Sequence, residues 1–420
     1  MAGTIAVVSA LGMAAVLGGC GSTGSSDVTL KLVAAEYGDS AANSTQKYWD
    51  ALVRSYEAKH PGVKVQVSVY SWKDVDRKVK DMVDAGHAPD MAQMGSYADY
   101  AAAGKLYPAS DLLSITTQGD FSSQLAEAGQ WNHEQYGMPF AASTRVLFYN
   151  KTLFTEAGIT PPTDWDELAA DARALKAQGV KYPFALPLGP EEAQAEAMQW
   201  MLAGGSGYTD DIGTYTLDSA ENTRTFTWLK DDLVGKGLTG PVAPGKLNRA
   251  TAFAAFADGQ VGMLDGHPML IQQAEAKGVK FGMVPLPGRT GRARASMGVT
   301  DWMTAFRQNG HAEQIGSFLD FVYQEKNVLD FSREFGQLPV TSSASGAMDA
   351  SGAARDKALR PFLDQLPGSQ LYPAGKTSWA EISTAVKESM GQAFLPGGSP
   401  AGVLTRLQAQ ATAADSSAIN

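Results

Sequence analysis

Aromatic and hydrogen-bonding side chains are concentrated in three short stretches, each of which follows a run of β-branched or apolar residues. Aromatic rings can stack on the apolar faces of a small molecule, while carboxylates and amides accept hydrogen bonds from its hydroxyl groups. The combination favours a site for a small hydroxylated solute, although each side chain could instead be a half-buried ring or a helix cap. The residues concerned are Glu36, Tyr37, Trp72, Gln93, Ser96 and Tyr97.

The segments that precede these stretches predict alternating strands and helices. Residues 28–33, 63–69 and 89–92 have the composition of strands, whereas apolar residues at helical spacing in 49–56 and 75–83 predict two helices between them. Such an alternation predicts a parallel sheet covered by helices, and ligands of these sheets bind beyond the carboxyl ends of the strands. The three stretches lie at those ends.

Size and charge narrow the range of functions. A chain of 420 residues is long enough for two lobes, and 44% hydrophobic with 19% charged residues is typical of a globular protein. Its formal charge of −10, from 34 basic and 44 acidic residues, argues against nucleic acid as a partner, because binding of phosphates requires basic surfaces.

Residues 139–168 contain a strand, a turn and the start of a helix. The apolar run 146–149 predicts a buried strand, and Pro161-Pro162 forces an extended connection. Asp164 followed by Glu167 predicts a capped helix. The segment reads Val-Leu-Phe-Tyr-Asn-Lys-Thr-Leu-Phe-Thr-Glu-Ala-Gly-Ile-Thr-Pro-Pro-Thr-Asp-Trp-Asp-Glu-Leu from Val146.

This segment resembles the motif LxYNKxLFxxAGIxPPxTWxEL of the family 1 extracellular solute-binding proteins of bacterial ABC importers. Residues 84–90 and 104–108 resemble two further motifs of that family, and the resemblance extends over about 28–414. It implies an α/β, two-lobed fold like that of periplasmic binding proteins, with a hinge and a ligand cleft between the lobes. It also implies a carbohydrate ligand and the transmembrane permease subunits of an ABC transporter as partners, with no cofactor and no metal.

The resemblance also implies a division of the chain. Residues 28–142 and 280–323 are expected in the first lobe, and residues 143–279 and 324–420 in the second. The chain would therefore cross between the lobes more than once. We expect the lobes to close around the ligand, and we expect the protein to be a monomer.

Six further site residues are carried over from the family's motifs. Residues 250–269 resemble an element that ends in a glycine loop at the cleft, although His267-Pro268 stands where a Trp is usual. Residues 297–302 resemble a strand at the cleft, and an aromatic residue often faces ligand before the final helices. Each of these side chains could instead have a packing role. The residues are Arg145, where the second lobe begins, Asp265, His267, Asp301, Trp302 and Tyr372.

Several aromatic and few cationic candidates fit an uncharged sugar better than an organic acid or a peptide. A secreted carbohydrate-active enzyme remains an alternative, since glycosidases need two carboxylates at a separation that no sequence reveals. A binding protein for a non-sugar solute is another. No G-x-S-x-G or H-E-x-x-H motif occurs, and the five histidines are scattered along the sequence. We therefore expect a binding protein without catalytic activity.

The N-terminal sequence predicts the location of the protein. Residues 5–17 are uncharged and too short to span a bilayer, which is typical of a signal peptide. Cys20, the single cysteine, follows Leu17-Gly18-Gly19 and resembles the lipidated residue of bacterial lipoproteins. We thus expect a signal peptide at 1–19, a lipidated Cys with a flexible tether at 20–27, and anchoring at the extracytoplasmic face of the cell membrane. No Lys or Arg precedes Lys31, so we expect translation to start further upstream.

Replacing the predicted lipid-bearing residue tests this anchor. Cys20→Ala removes the thiol that would carry the lipid, so we expect the protein to move from the membrane fraction to the medium or the periplasm. Fractionation and immunoblotting measure the change. If the Ala variant stays with the membrane, the lipoprotein interpretation is wrong.

Overall fold

The computed structural model describes residues 27–38, 41–293 and 295–418. The predicted signal peptide, Cys20 and the tether up to residue 26 lie outside the described residues. Two separate sheets, one of five strands and one of four, organise the described chain. We call the five-stranded sheet with its covering helices the first lobe, and the four-stranded sheet with its covering helices the second lobe.

Most strands belong to one of these sheets, and two short hairpins make up the remainder. The strands are β1 (Val28–Ala35), β2 (Val63–Tyr70), β3 (Met91–Met94), β4 (Gln130–Trp131), β5 (Glu134–Gln135), β6 (Met138–Thr144), β7 (Val146–Asn150), β8 (Tyr182–Ala185), β9 (Val261–Gly266), β10 (Phe281–Val284), β11 (Pro287–Gly288), β12 (Gly291–Arg292) and β13 (Gly298–Ala305).

Helices connect the strands and form the C-terminal part of the chain. They are α1 (Thr45–Glu57), α2 (Val75–Asp84), α3 (Ala98–Ala102), α4 (Ile115–Asp120), α5 (Ser123–Ala128), α6 (Lys151–Ala157), α7 (Trp165–Ala177), α8 (Ala193–Ala203), α9 (Ala220–Trp228), α10 (Arg249–Ala257), α11 (Met269–Ala276), α12 (Ala312–Val322), α13 (Glu325–Phe335), α14 (Ser342–Ala350), α15 (Ala354–Leu363), α16 (Trp379–Ser389) and α17 (Pro400–Ala418). Within the described ranges, no helix has both the length and the apolar character required to cross a bilayer.

The first sheet has the strand order β2-β1-β3-β13-β6. β1 is parallel to both β2 and β3, which confirms the alternation of strands and helices predicted for residues 28–92. β13 is antiparallel to its neighbours β3 and β6. The carboxyl ends of β1, β3 and β6 and the start of β13 therefore lie at one edge of the sheet.

The second sheet has the order β10-β7-β9-β8. β8 and β9 are parallel, while β7 runs antiparallel to β9. The start of β7 and the ends of β8 and β9 consequently share one edge. On its surface, α7 is capped as predicted, because Asp164 Oδ1 accepts a hydrogen bond from the Glu167 N–H at 2.9 Å. Glu167 reaches back to the Thr163 N–H at 2.7 Å.

Within the described residues, the chain passes between the sheets three times. Arg145 alone separates β6 from β7, and the second passage lies between β10 and β13. Ser343 still bonds Asp120 of the first lobe, whereas Phe362 packs on Phe148 of the second, so the third passage lies between these two residues. These passages fix the two edges described above next to each other.

Two segments lie in a different lobe from the one that the sequence predicts. Residues 281–284 are expected in the first lobe, but β10 pairs with β7 and belongs to the second sheet. Residues 324–343, which include α13, are expected in the second lobe, but they lie with the first: the ring of Phe331 packs against Tyr37 at 5.0 Å and Phe140 at 4.7 Å, and Ser343 bonds Asp120. In both places contacts with strands or rings that are distant in sequence decide the assignment.

Trp302 is part of the core of the first lobe. It is 2% exposed, and its ring meets that of Tyr97 edge to face at 5.2 Å. Gly137 allows this packing, because a Cβ at that position would approach the rings of Trp302 and Tyr97 to 2.8 Å. Trp302 therefore fills space between β13 and the β4–β5 hairpin.

We expect Trp302→Ala to lower the free energy of unfolding by about 3–5 kcal/mol, the usual cost of truncating a buried aromatic side chain. Urea denaturation without ligand measures it. Trp72→Ala, at a half-buried ring, is the control and should cost clearly less. Equal stability of the Trp302 variant and the parent protein would contradict the packing role.

Candidate ligand-binding cleft

The edge of the second sheet brings together side chains that are far apart in sequence. Arg145 immediately precedes β7, Asp265 lies near the end of β9, and His267 follows that strand. Register pairs Val146 with Gly266, so Arg145 and His267 stand at the same edge. Glu192 comes from the loop after β8, at the start of α8. Three of the sequence-predicted residues thus meet at one place.

Ion pairs hold this edge together. The Arg145 guanidinium donates to Glu192 Oε1 at 2.7 Å, and its side chain is only 6% exposed. Arg249 lies 2.6 Å from Glu192 Oε2 and 2.7 Å from Glu191 Oε1. Burial alone would raise the pKa of Glu192, but the charges of Arg145, Arg249 and Lys387 hold it below its usual value.

Two carboxyl groups beside this network are buried. Asp265 is 3% exposed, and neither of its carboxyl oxygens has a hydrogen-bond partner. Burial raises the pKa of Asp265 to about 7, although the Arg145 charge acts in the opposite direction. Glu196 accepts a hydrogen bond from Trp200 Nε1 at 2.8 Å, and burial together with the charge of Asp265 raises its pKa well above the usual value.

His267 is also buried, at 6% exposure, and its Nδ1 has no hydrogen-bond partner. Its ring packs against Phe253 with 4.9 Å between the centroids. Burial and the charges of Arg145 and Arg249 lower the pKa of His267 well below its usual value, so the imidazole is neutral at pH 7. A neutral ring can either donate or accept one hydrogen bond there.

The first lobe contributes a hydroxyl, a carboxyl and a ring at the edge of its own sheet. The Tyr37 hydroxyl donates to Asp301 Oδ2 at 2.9 Å, and the half-buried ring of Trp72 meets Tyr37 edge to face at 5.5 Å. Burial raises the pKa of Asp301 to about 7 against the effect of the Tyr37 hydrogen bond. These three residues are the part of the predicted site that the first lobe assembles.

The two edges influence each other electrostatically. The charges of Glu192 and Arg145 in the second lobe act on Asp301 in the first. The half-buried ring of Tyr372 stacks on Trp379 at 5.0 Å. Burial raises the pKa of Tyr372, and the charges of Glu192, Arg145 and Asp301 also act on that pKa. We therefore treat the gap between the two edges as the candidate ligand-binding cleft.

Other sequence-predicted residues have structural partners. The Tyr97 hydroxyl donates to the Ala128 and Gln130 carbonyls, so Tyr97 packs with Trp302 in the core instead of facing the cleft. Gln93 is buried and accepts a hydrogen bond from the Ala35 N–H at 2.8 Å, while its Nε2 has no partner. Glu36 accepts hydrogen bonds from the N–H groups of Gly38 and Thr45. Ser96 is half-buried after β3.

The structure adds cleft residues that the sequence analysis does not identify. They contribute carboxylates and cations from loops and helix starts, where no local pattern marks them. The Asp76 carboxylate accepts a hydrogen bond from the Gly95 N–H at 3.0 Å. Its side chain is exposed, but the protein atoms around the carboxylate displace enough water to raise its pKa. The only sequence signal for any of these residues is the pair of consecutive acids before α8, from which Glu191 and Glu192 could have been predicted. The added residues are Asp76, Glu191, Glu192, Glu196, Arg249 and Lys387.

Two surface depressions begin next to the cleft residues, at Pro268 and at Ser296. One of about 500 Å³ lies between α11, the end of α13 and α15, and another of about 270 Å³ lies beside residues 285–296. Neither is lined by Tyr37, Asp265 or Asp301. We give more weight to the cleft, because buried groups without partners converge there. Among the described residues, no group of three or more His, Cys, Asp or Glu has the arrangement of a metal site.

The unpartnered carboxyl of Asp265 predicts a pH dependence of stability. Its pKa is about 7 in the folded protein against 3.8 ordinarily, so the folded state retains a proton that the unfolded state releases between these values. Its contribution therefore makes the free energy of unfolding fall as pH rises from about 4 to about 7. We expect a smaller fall in Asp265→Asn, measured by urea denaturation between pH 4 and 8 without ligand. The exposed Asp211→Asn is the control, and parallel curves for Asp265→Asn and the parent protein would refute the expectation.

Comparison with known proteins supports the same fold and places the chain in a family. A model described as bacterial extracellular solute-binding protein matches residues 51–360. A Brucella abortus protein named as a binding protein is 29% identical over 390 residues, covering 91% of this chain and 92% of its own. The galactooligosaccharide-binding protein of Bacillus subtilis is 26% identical, covering 75% of this chain and 79% of its own.

A solved structure shares the two-lobed architecture at low sequence identity. The solute-binding protein of an ABC transporter from Thermotoga lettingae, bound to alpha-D-tagatose, superimposes with a TM-score of 0.78 at 18% identity. The match covers 92% of this chain and 99% of that chain. The fold is thus the two-lobed α/β fold of periplasmic sugar-binding proteins. With a family model matched over most of its length, the chain belongs to the bacterial extracellular solute-binding proteins.

Proposed function

We propose that this protein binds a carbohydrate outside the cytoplasm and delivers it, chemically unchanged, to the permease of an ABC transporter. The observation that carries the proposal is the composition of the cleft. Each lobe supplies an aromatic ring together with buried hydrogen-bonding groups that have no protein partner or only one. Relatives that are named for galactooligosaccharide or maltotriose binding support the choice of ligand class.

The chemistry of the two edges fits a sugar. Trp72 in the first lobe and Tyr372 in the second are half-buried rings that can stack on the apolar faces of a pyranose. Asp265, Asp301 and His267 offer oxygen and nitrogen atoms to hydroxyl groups. A buried carboxyl without a partner is costly, so a ligand that brings donors relieves that cost.

An anionic ligand fits this cleft poorly. The two guanidinium groups at the second edge are already engaged by Glu191 and Glu192, at 2.6–2.7 Å. An organic acid would have to compete with these carboxylates, and it would meet Asp265 and Asp301 as well. The geometry therefore favours a ligand without negative charge.

A carbohydrate-cleaving enzyme is the second candidate, and one observation favours it. Asp265 and Asp301 have pKa values of about 7 and belong to facing edges, and a raised carboxyl pKa is what a general acid in glycoside hydrolysis needs. The family and its neighbours are binding proteins, and we propose that this chain has no catalytic activity either. Recovery of the ligand intact separates the two candidates.

We further propose that Cys20 carries a lipid and holds a monomer at the outer face of the cell membrane. The family is extracellular, and the lipobox-like sequence around Cys20 supports this form of attachment. Closure of the lobes would use the three passages of the chain, with Arg145 at the shortest of them. Such closure would bring the two edges onto the ligand from both sides.

A thermal-shift screen of mono- and disaccharides tests the proposed function. We expect at least one sugar to raise the melting temperature, because a ligand bound only by the folded state stabilises it by about 2.7 kcal/mol at a hundredfold excess over Kd. Mass spectrometry should recover that sugar intact, and small-angle scattering should show a smaller radius of gyration with sugar present. Tyr372→Ala should weaken binding at least tenfold, or about 1.4 kcal/mol.

Tyr107→Ala is the matched control for the ring substitution. Tyr107 is half-buried, and its N–H bonds the Ala305 carbonyl at the opposite end of β13 from the cleft, so this variant should keep the affinity. Cleaved sugar in the mass spectrum would support the enzyme instead. A radius that sugar leaves unchanged, with full affinity in Tyr372→Ala, would refute a cleft that closes on its ligand.

A further inference from the structure

The cleft contains more carboxyl groups than cations. Three cationic side chains act on its acids, namely Arg145, Arg249 and Lys387. The acids come from both edges, and twice as many of them are present as cations. They are Asp76, Glu191, Glu192, Glu196, Asp265 and Asp301.

The two arginines are committed to two of these acids. Arg145 bonds Glu192 at 2.7 Å, while Arg249 bonds both Glu191 and Glu192. Two guanidinium groups and two carboxylates form a chain of ion pairs whose charges cancel. Neither guanidinium in these ion pairs is left to neutralise another acid directly.

Two acids beside this chain lack a cation of their own. Neither oxygen of Asp265 has a hydrogen-bond partner, and the side chain is 3% exposed. Glu196, 6% exposed, accepts a hydrogen bond from the uncharged indole of Trp200. The two carboxyls also act on each other, since each repels the ionised form of the other.

A third acid without a cation lies on the opposite edge. Asp301 bonds the uncharged hydroxyl of Tyr37 at 2.9 Å, and the charges of Glu192 and Asp76 add to the negative potential around it. The neutral His267, whose Nδ1 has no partner, provides a further hydrogen-bonding group beside Asp265. Both edges of the cleft therefore carry acids that have no cation of their own.

From this charge distribution we propose that the carbohydrate bound by this protein carries a protonated amine, and that the ammonium group binds at Asp265. This inference rests on the proposed function and specifies its ligand class. A neutral sugar supplies hydroxyl donors, but it leaves the buried carboxyls either ionised without a counter-charge or protonated. An ammonium group supplies donors and positive charge together, and such charge-assisted hydrogen bonds are about twice as strong as neutral ones.

The amine belongs to a sugar because the rings of Trp72 and Tyr372 flank the acids. A simple polyamine or an inorganic cation would leave these half-buried rings without a surface to stack on. A pyranose with an amino group in place of one hydroxyl satisfies the rings and the acids at once. Its remaining hydroxyls can still bond His267 and Asp301.

Matched pairs of sugars test the inference. We would measure Kd by calorimetry at pH 7 for D-glucose against D-glucosamine, D-galactose against D-galactosamine, and cellobiose against its 2-amino analogue built from two glucosamine units. The N-acetylated form of each amino sugar controls for bulk without charge. We expect the best aminated ligand to bind at least tenfold more tightly than its neutral partner and than its N-acetylated form.

Substitutions of single acids test where the amine binds. Asp265→Asn should reduce the ratio of the affinities for the aminated and the neutral sugar to about threefold or less. The same ratio is measured for Asp301→Asn, which changes the acid on the opposite lobe. Asp171→Asn is the control, because Asp171 is also buried, at 8% exposure, with an unpartnered carboxyl oxygen, but it lies on α7 outside the cleft. It should keep the full ratio.

The outcomes separate the inference from the proposed function. A neutral sugar that binds as tightly as its aminated partner would overturn the inference and leave carbohydrate binding in place. An amine preference that survives in both Asp265→Asn and Asp301→Asn would overturn the assigned position. If no sugar of either kind binds, the proposed function fails, and the inference fails with it.

Discussion

Arg145 joins the two sheets and also organises the cleft between them. It is the single residue between β6 and β7, and its guanidinium is buried against Glu192. A buried charge is tolerated only when it is paired, and removing one partner of such a pair typically costs about 3–5 kcal/mol. The loop after β8 and the start of α10 must therefore stay close to the passage between the lobes, because Glu192 and Arg249 complete the ion pairs.

This constraint explains why the second lobe presents polar groups at one edge. Once Glu192 neutralises Arg145 and Arg249 neutralises Glu191, neither guanidinium remains to pair with the acids further along the edge. Asp265, near the end of β9, has no hydrogen-bond partner for either carboxyl oxygen. The same ion pairs that stabilise the passage thus leave unsatisfied groups at the edge beside the gap, and such groups favour ligand binding over tight packing.

In the first lobe, aromatic packing instead of ion pairs positions the groups at the edge of the sheet. Its sheet is held by the aromatic cluster around Phe331, Tyr37 and Phe140, to which α13 contributes although it follows β13 by twenty residues. This cluster orients the Tyr37 ring so that its hydroxyl meets Asp301. A ring in the core and a hydroxyl at the cleft are two ends of one side chain, and packing of the first end positions the second.

The sequence by itself determined the elements and the family. Apolar spacing predicts β1, α1, β2 and α2 because periods of 2 and 3.6 are local properties of the chain. The capping of α7 by Asp164 follows from residues three positions apart, and the motif from Val146 to Leu168 suffices to identify the solute-binding family. The sequence also predicted Tyr37, Arg145, Asp265, His267 and Asp301 as site residues. In the structure they lie at two facing edges.

Only the tertiary structure decided which of two neighbouring residues faces the cleft. Asp301 and Trp302 are adjacent in β13, where successive side chains leave the strand on opposite sides, so Asp301 reaches Tyr37 while Trp302 packs under Tyr97. The lobe that contains β10 and α13 depends on contacts with strands and rings distant in sequence. The balance of charge in the cleft is likewise nonlocal, because the pairing of Arg145 and Arg249 with Glu192 determines which carboxyls remain without a counter-charge.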